Sequence, residues 1–369
     1  MKVLITGANG FIGKNLSFYL KERNIDVLGF DLDNSTDDLK RYLKAADFVV
    51  HLAGANRPKS NDEFYEVNRG LTETIIDIIS EENLKLPLIF SSTIHAEQDN
   101  DYGKSKKAAE EVLFAYEKAT GNKVYVFRLH NLFGKWSRPH YNSVIATFCH
   151  NVAHNEDITI NDPNAALDFV YIDDVVKTFY DVIIGAYNVN TKYYAVKQTH
   201  NITIGELARL IKSFKESREN RLLPDVQDAF VKKLYSTYLT YLPVEAFKYP
   251  LLVHQDERGL FSEFIKGEKF GQVSVNVITP GFTKGNHYHH TKIEKFLVLT
   301  GEATINFKHI ATGELISLKV SGEKLEVVDI PPGYTHNIVN ETDQDVVFVI
   351  WANEMYDPDN ADTIFKKVE

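Results

Sequence analysis

The sequence predicts two fold classes in succession, an α/β domain with a parallel sheet over residues 1–243 and an all-β domain over residues 247–369. Three observations predict them. Short apolar runs alternate with helical spacing before residue 190, and a charge-rich stretch follows near 215–243, closed by Pro243 and Pro250. Beyond it, runs of Val, Ile, Thr and Phe recur between Gly, Pro and Asp turns. A length of 369 residues suits more than one domain.

In chain order, Val3–Thr6, Val27–Phe30, Phe48–Leu52, Leu88–Ser91 and Val124–Leu129 are apolar enough to be strands covered on both faces. Ile12–Arg23, Phe64–Ile79 and Ser105–Ala119 carry helical spacing between them, and strand–helix alternation of this kind calls for a parallel sheet. Val196–Ile204 and Gly205–Phe214 add a smaller lobe, and KESRENR at 215–221 reads as a solvated charge run. Gln272–Thr279, Lys295–Thr300, Ala303–Phe307, Leu325–Asp329 and Val346–Trp351 then read as strands of a sandwich or barrel.

Composition excludes several classes. A formal net charge of −10 disfavours a broad nucleic-acid face. No apolar run approaches the roughly 20 residues a bilayer span requires, and MKVLITGANG leads into a strand rather than an export segment. The single Cys149 rules out an intrachain disulfide framework and reads as a small buried hydrophobe. A cytoplasmic protein with no nucleic-acid or membrane partner is expected.

Chemistry first enters at Thr6–Gly13. Gly7, Asn9, Gly10, Phe11, Ile12 and Gly13 lie between the first strand and a helix. There glycines permit a tight turn and close approach to a pyrophosphate, and the helix start offers unpaired N–H groups. Asp31 ends the second strand and can accept from ribose hydroxyls, which favours NADH. Tyr102 and Lys106 stand four apart at a helix start, where an ammonium favours phenolate and eases proton exchange with a carbonyl. Ser91-Ser92-Thr93 ends an apolar strand and supplies hydroxyls for the same carbonyl.

In the second domain, His287 and His289 are spaced to share a strand face, with Glu294 opening the next strand and His336 following a Pro-Gly turn. Imidazole and carboxylate together suit divalent zinc, iron, manganese or nickel. His290 replaces His289 if the register slips by one.

Residues 1 to about 240 resemble the extended short-chain dehydrogenase/reductases that modify nucleotide sugars. The likeness lies in TGANGFIG at 6–13, HLAG at 51–54, Val67-Asn68, SST at 91–93, YGKSK at 102–106, RLHNLFG at 128–134 and DFVYIDDVV at 168–176. It implies a Rossmann-type fold, with Tyr102 as proton donor and Lys106 orienting the nicotinamide ribose and lowering the tyrosine pKa. Thr93, or alternatively Ser92, aids the carbonyl. Leu52, Ala53 and Gly54 lie beside the coenzyme, and Asn131 lies on the sugar side. Leu167 stands where the family has an arginine, and Arg57 is a candidate substitute for that anion contact.

Residues 247–369 resemble the cupins, which implies a jelly-roll barrel, although Gly322 is off the family register. Asp256–Glu263 and Lys284–His289 are locally similar to deoxysugar 3,5-epimerases. The pair of domains resembles the bifunctional enzymes of capsular polysaccharide synthesis, on the route to UDP-N-acetyl-L-fucosamine. That likeness implies epimerisation at carbon 3 of a UDP-2-acetamido-2,6-dideoxy-4-hexulose in the cupin. Reduction of the 4-keto group with NADPH in the first domain then gives UDP-N-acetyl-6-deoxy-L-talosamine. Zn2+ in the cupin and a homodimer are further implications. The alternative is a monofunctional 4-ketoreductase whose cupin serves only metal or ligand binding, or dimerisation.

Overall fold

The computed structural model describes residues 1–56 and 60–369; the candidate anion contact Arg57 lies outside the described residues. The chain divides into two compact units, residues 1–211 with 233–242, and residues 212–232 with 243–369.

The first unit begins with β1 (Lys2–Thr6), α1 (Phe11–Lys21), β2 (Asp26–Phe30), α2 (Thr36–Ala45), β3 (Phe48–His51), α3 (Asn61–Tyr65) and α4 (Leu71–Glu81). β4 (Leu88–Thr93), α5 (Asp101–Thr120) and β5 (Val124–Leu129) follow. Among the described residues, β2-β1-β3-β4-β5 form one parallel sheet. Successive side chains of its strands enter opposite core layers. Val3, Ile5, Phe48, Val50 and Ile89 pack with α1 on one face, whereas Leu4, Val49, Leu88 and Phe90 pack with α4 and α5 on the other. That is why these strands read as unbroken apolar runs. Strand order reverses at β1, with β2 on one side and β3 on the other, so the loops after β1 and β3 open a crevice. This is a Rossmann-like architecture.

Two local features depart from the linear reading. Ser35 accepts from the Asp38 N–H and the Asp38 side chain returns to the Ser35 N–H, so this pair starts α2. The single helix expected over Phe64–Ile79 is interrupted at Glu66–Gly70 by a π-turn that carries the fully buried Asn68.

Next come β6 (Asn131–Phe133), α6 (Val144–Ala153), β7 (Ala166–Tyr171), α7 (Ile172–Ile183) and β8 (His200–Thr203), with β6, β7 and β8 in a small mixed sheet. Cys149 on α6 is fully buried, and burial pushes its thiol far up, as suits a packing residue. The divisions between units fall inside α8 (Ile204–Asn220) and inside α9 (Ala229–Leu239), which rejoins the first unit from Lys233 onward. KESRENR is therefore not solvated throughout. Its residues as far as Asn220 form the last turns of α8, and Ser217 and the following Arg221 are buried. Backbone hydrogen bonds join Arg221 and Leu223 to Lys266 at 2.9 and 2.8 Å.

The second unit is all-β, with its strands in antiparallel ladders. β9 (His254–Asp256), β10 (Gly259–Gly267), β11 (Gly271–Ile278), β12 (Thr283–Tyr288) and β13 (Glu294–Thr300) come first. β14 (Glu302–His309), β15 (Leu315–Ser321), β16 (Val327–Ile330), β17 (Tyr334–Val339), β18 (Val346–Ala352) and β19 (Ile364–Phe365) follow. One sheet runs β16-β13-β18-β11-β10-β9 and the other β15-β14-β17-β12-β19. Ile278, Phe296 and Phe348 of the first sheet meet Ile305, Phe307 and Ile338 of the second in one core, a jelly-roll arrangement. Among the described residues no helix is long and apolar enough to cross a membrane.

Candidate functional site

In the first unit the crevice is a cleft of about 920 Å3 lined by Gly7, Asn9 to Gly13, Leu52, Gly54, Thr93, Tyr102, Lys106 and Asn131 among others. Its floor is built for close approach. Gly7 takes φ +68, and a Cβ on it would stand 2.8 Å from the Ala53 nitrogen. A Cβ on Gly13 would stand 2.2 Å from the Gly7 carbonyl oxygen, so α1 can rest on the loop only through a glycine. This bare cradle at a helix N-terminus fits a dinucleotide pyrophosphate.

The loop after β3 is anchored from two sides. Thr6 Oγ1 accepts from the N–H groups of Leu52 and Ala53, and Asn68 Oδ1 accepts from Ala55 N–H at 2.9 Å. Asn68 Nδ2 donates to Ser105 Oγ at 3.0 Å, which ties this loop to the helix of Tyr102 and Lys106. His51 lies fully buried between Thr6 Oγ1 at 2.7 Å and Thr72 Oγ1 at 3.0 Å. Burial and the Lys106 charge lower its pKa to about 3, so it is neutral. The Ala53 N–H is used in this anchoring. Asp31 is held against the same turn: its Oδ2 accepts from Asn9 N–H at 2.7 Å and its Oδ1 from Leu32 N–H at 2.9 Å.

Tyr102, Lys106 and Thr93 come together in one wall of the cleft. The Lys106 ammonium donates to the Ser91 carbonyl at 3.0 Å rather than to Tyr102. Burial lowers its pKa to about 8 against the opposing charge of Glu110. Burial raises the Tyr102 phenol and a hydrogen bond with Thr93 opposes the rise. The lysine-lowered phenol expected from spacing is thus absent here, because desolvation outweighs a cation aimed elsewhere.

Between the two candidate hydroxyls the geometry discriminates. Ser92 donates to the buried Glu110 carboxylate, which also receives Arg128 Nη2 at 2.7 Å. Thr93 is the one of the two with a hydrogen bond to Tyr102. The Glu110–Arg128 pair behind the strand end has no signal in the sequence, because its members lie 18 residues apart on a helix and a strand. Asn131 lines the cleft, its Nδ2 donating to the Asp168 carbonyl at 3.2 Å.

In the second unit, His287, His289, Glu294 and His336 bring one ligand atom each within 4.8 Å of one another. β12 and β17 supply His287 and His336 from one sheet, and Glu294 opens β13 in the other. The Nε2 atoms of His289 and His336 are buried without a hydrogen-bond partner, each 3.5 Å from Glu294 Oε2. A tetrahedral ion with bonds of about 2.1 Å sets its ligands about 3.4 Å apart, so the donor set and its spacing fit a divalent metal. Burial lowers the His287 pKa to about 4, which keeps the imidazole neutral and able to ligate. Burial would raise the Glu294 carboxyl, but His289, His336 and Lys292 together hold it well below the carboxylate range.

The ligand loop has a support that sequence spacing does not reveal. His289 Nδ1 meets the Asp362 carbonyl, which directs Nε2 inward. The Asp362 carboxylate accepts from the N–H groups of His290, Thr291 and Lys292. His289 is buried and His290 exposed, so the first of the neighbouring pair faces the cluster.

Residues 3–190 match the NAD dependent epimerase/dehydratase family, and residues 254–364 match the polysaccharide biosynthesis C-terminal domain. The chain is 44% identical to UDP-2-acetamido-2,6-beta-L-arabino-hexul-4-ose reductase of Pseudomonas aeruginosa over 98% of each protein. It superposes on the capsular polysaccharide assembling protein CapF from Staphylococcus aureus with a TM-score of 0.93 and 47% identity, covering 100% of both chains. CapF with the inhibitor 3-isopropenyl-tropolone aligns at a TM-score of 0.89 and 44% identity, again over 100% of each chain.

Proposed function

From the premise that the chain belongs to the NAD dependent epimerase/dehydratase family, we propose that it is a bifunctional nucleotide-sugar enzyme of capsular polysaccharide synthesis. Its cupin-like unit epimerises carbon 3 of a UDP-2-acetamido-2,6-dideoxy-4-hexulose, and its first unit reduces the 4-keto group to give UDP-N-acetyl-6-deoxy-L-talosamine. The observation that carries the reading is the pairing, in one chain, of the Thr93–Tyr102–Lys106 wall with a buried three-histidine, one-glutamate cluster.

In the reductase cleft, the glycine loop and Leu52 to Gly54 hold the dinucleotide, and Lys106 holds its ribose. The nicotinamide, when bound, supplies hydride to carbon 4. Tyr102 donates its phenolic proton to the carbonyl oxygen, a role that its burial-raised pKa favours by keeping the phenol protonated. The Thr93 hydroxyl polarises the same oxygen, and Asn131 contacts the sugar. NADPH is the proposed coenzyme; the acidic Asp31 beside the loop makes NADH the alternative.

In the second unit His287, His289, Glu294 and His336 would hold zinc, which when bound supplies Lewis acidity at a keto oxygen or a structural clip. Carbon 3 is acidic because its anion delocalises onto the carbon 4 oxygen. Epimerisation must therefore precede reduction, which removes that ketone. Lys292, with Nζ 3.0 Å from Glu294 Oε1, is the proton-transfer candidate there; His290 and Glu302 are exposed. A homodimer is part of the reading, since both fold families commonly pair.

One assay tests the whole reading. UDP-4-keto sugars are incubated with each coenzyme and the products are read by NMR. The expected product is inverted at carbon 3 and reduced at carbon 4, with NADPH the better donor; a reduced product with carbon 3 unchanged favours the monofunctional alternative.

A further inference from the structure

Outside the residues that line either site, a second group of metal-type ligands is built around α6. His140, His150 and Glu156 each offer one ligand atom, and these atoms lie within 4.8 Å of one another. His150 Nδ1 is closed off from solvent and has no hydrogen-bond partner. Glu156 Oε2 stands 3.8 Å from it, beyond hydrogen-bond reach yet close enough for a cation to bridge. The nitrogen thus has no protein partner and is free to ligate a cation.

The chain bends at both ends of the helix to assemble this group. Before α6, His140 takes φ +55 and its N–H donates to Thr147 Oγ1 at 3.0 Å, which folds the segment back over the first turn. The His140 and His150 rings then meet edge-on at 5.2 Å between centroids. After α6, Asn155 at φ +62 reverses the chain. Glu156 N–H donates to the Asn151 carbonyl at 2.7 Å, which turns Glu156 back along the helix. His154 stacks on the His150 ring at 4.1 Å and donates through Nδ1 to the His150 carbonyl, so the central ring is held in place.

We propose that His140, His150 and Glu156 form a second divalent-cation site, of the zinc-binding class, separate from the His287 cluster. Two imidazoles and a carboxylate are zinc donors, and three protein ligands leave one position for water. Tetrahedral coordination requires ligand atoms about 3.4 Å apart, so binding draws the exposed His140 and Glu156 side chains inward onto the held His150. His140 belongs to the segment that supplies Trp136, Ser137, Arg138, Tyr141 and Asn142 to the reductase cleft wall. An ion at this site therefore ties that wall to α6.

The test is the zinc content of the full-length protein after equilibrium dialysis against micromolar Zn2+. Wild type is compared with His140→Gln and Glu156→Gln, both at exposed positions where loss of fold is not expected. Wild type is expected to hold one zinc per chain more than either variant, whatever the His287 cluster contributes to all three. With cobalt in place of zinc, the wild-type-minus-variant spectrum is expected to show the visible bands of a low-coordinate nitrogen and oxygen site. Equal metal content in wild type and variants overturns the proposal.

Discussion

Tyr102 and Lys106 share a helix face, yet their surroundings push them differently. The phenol is desolvated and stays protonated, whereas the ammonium is desolvated and nears its own titration, at about 8. The sign of the pH effect follows. Below pH 8 Lys106 carries the charge proposed to hold the ribose, and above it that charge is lost. The kcat/KM for the coenzyme is therefore expected to fall as pH rises through about 8, approaching about tenfold per unit. A profile that stays flat well above that pH removes the lysine charge from the mechanism. Replacing the phenol is more severe: Tyr102→Phe deletes the proton donor, and reduction is expected to drop about 10²- to 10⁴-fold in single-turnover measurements.

The turn between β1 and α1 and the pairing of β12 with its neighbours show how backbone proximity makes each site. Gly13→Ala inserts a methyl 2.2 Å from a backbone oxygen that cannot swing aside. The strain is expected to cost about 1–3 kcal/mol, and coenzyme affinity should fall with it; calorimetry on the free protein and coenzyme titration read the two effects. In the barrel, His287 pairs opposite both His336 and Phe365, so β12 lies between β17 and the C-terminal β19. His336→Ala is expected to lower bound metal and thermal stability together, measured by metal analysis and unfolding; unaltered stoichiometry takes His336 off the ligand set.

At the level of the complete chain, the proposed scheme has one carbonyl handled in two separately folded units, first to loosen the hydrogen at carbon 3 and then to accept hydride. Full-length Tyr102→Phe separates the two steps. In deuterated water it is expected to exchange the carbon 3 hydrogen at the wild-type rate while forming no reduced sugar. Simultaneous loss of both reactions in a folded protein contradicts the two-site scheme. The scheme also accounts for the fusion of the two units, since the ketone that epimerisation requires is the group that reduction consumes.

The α/β and all-β character, the glycine loop, the Tyr-Lys pair and the histidine spacing were all legible along the chain. Each depends on local periodicity or on a few residues at short separation, and local sterics and hydrogen bonding act over just that range. Other features needed the folded molecule. The π-turn at Asn68, the choice of Thr93 over Ser92, the capture of Lys106 by Ser91 and the support of His289 by Asp362 join residues that spacing does not connect. Asp362 reaches His289 across 73 positions. α8 passing from one unit to the other belongs with them, because the burial of Ser217 and Arg221 is set by what packs around them and not by their charge-rich neighbours in sequence. Residue types and short-range patterns name the chemistry available; only packing, through burial and the partners it brings, decides which group holds which proton.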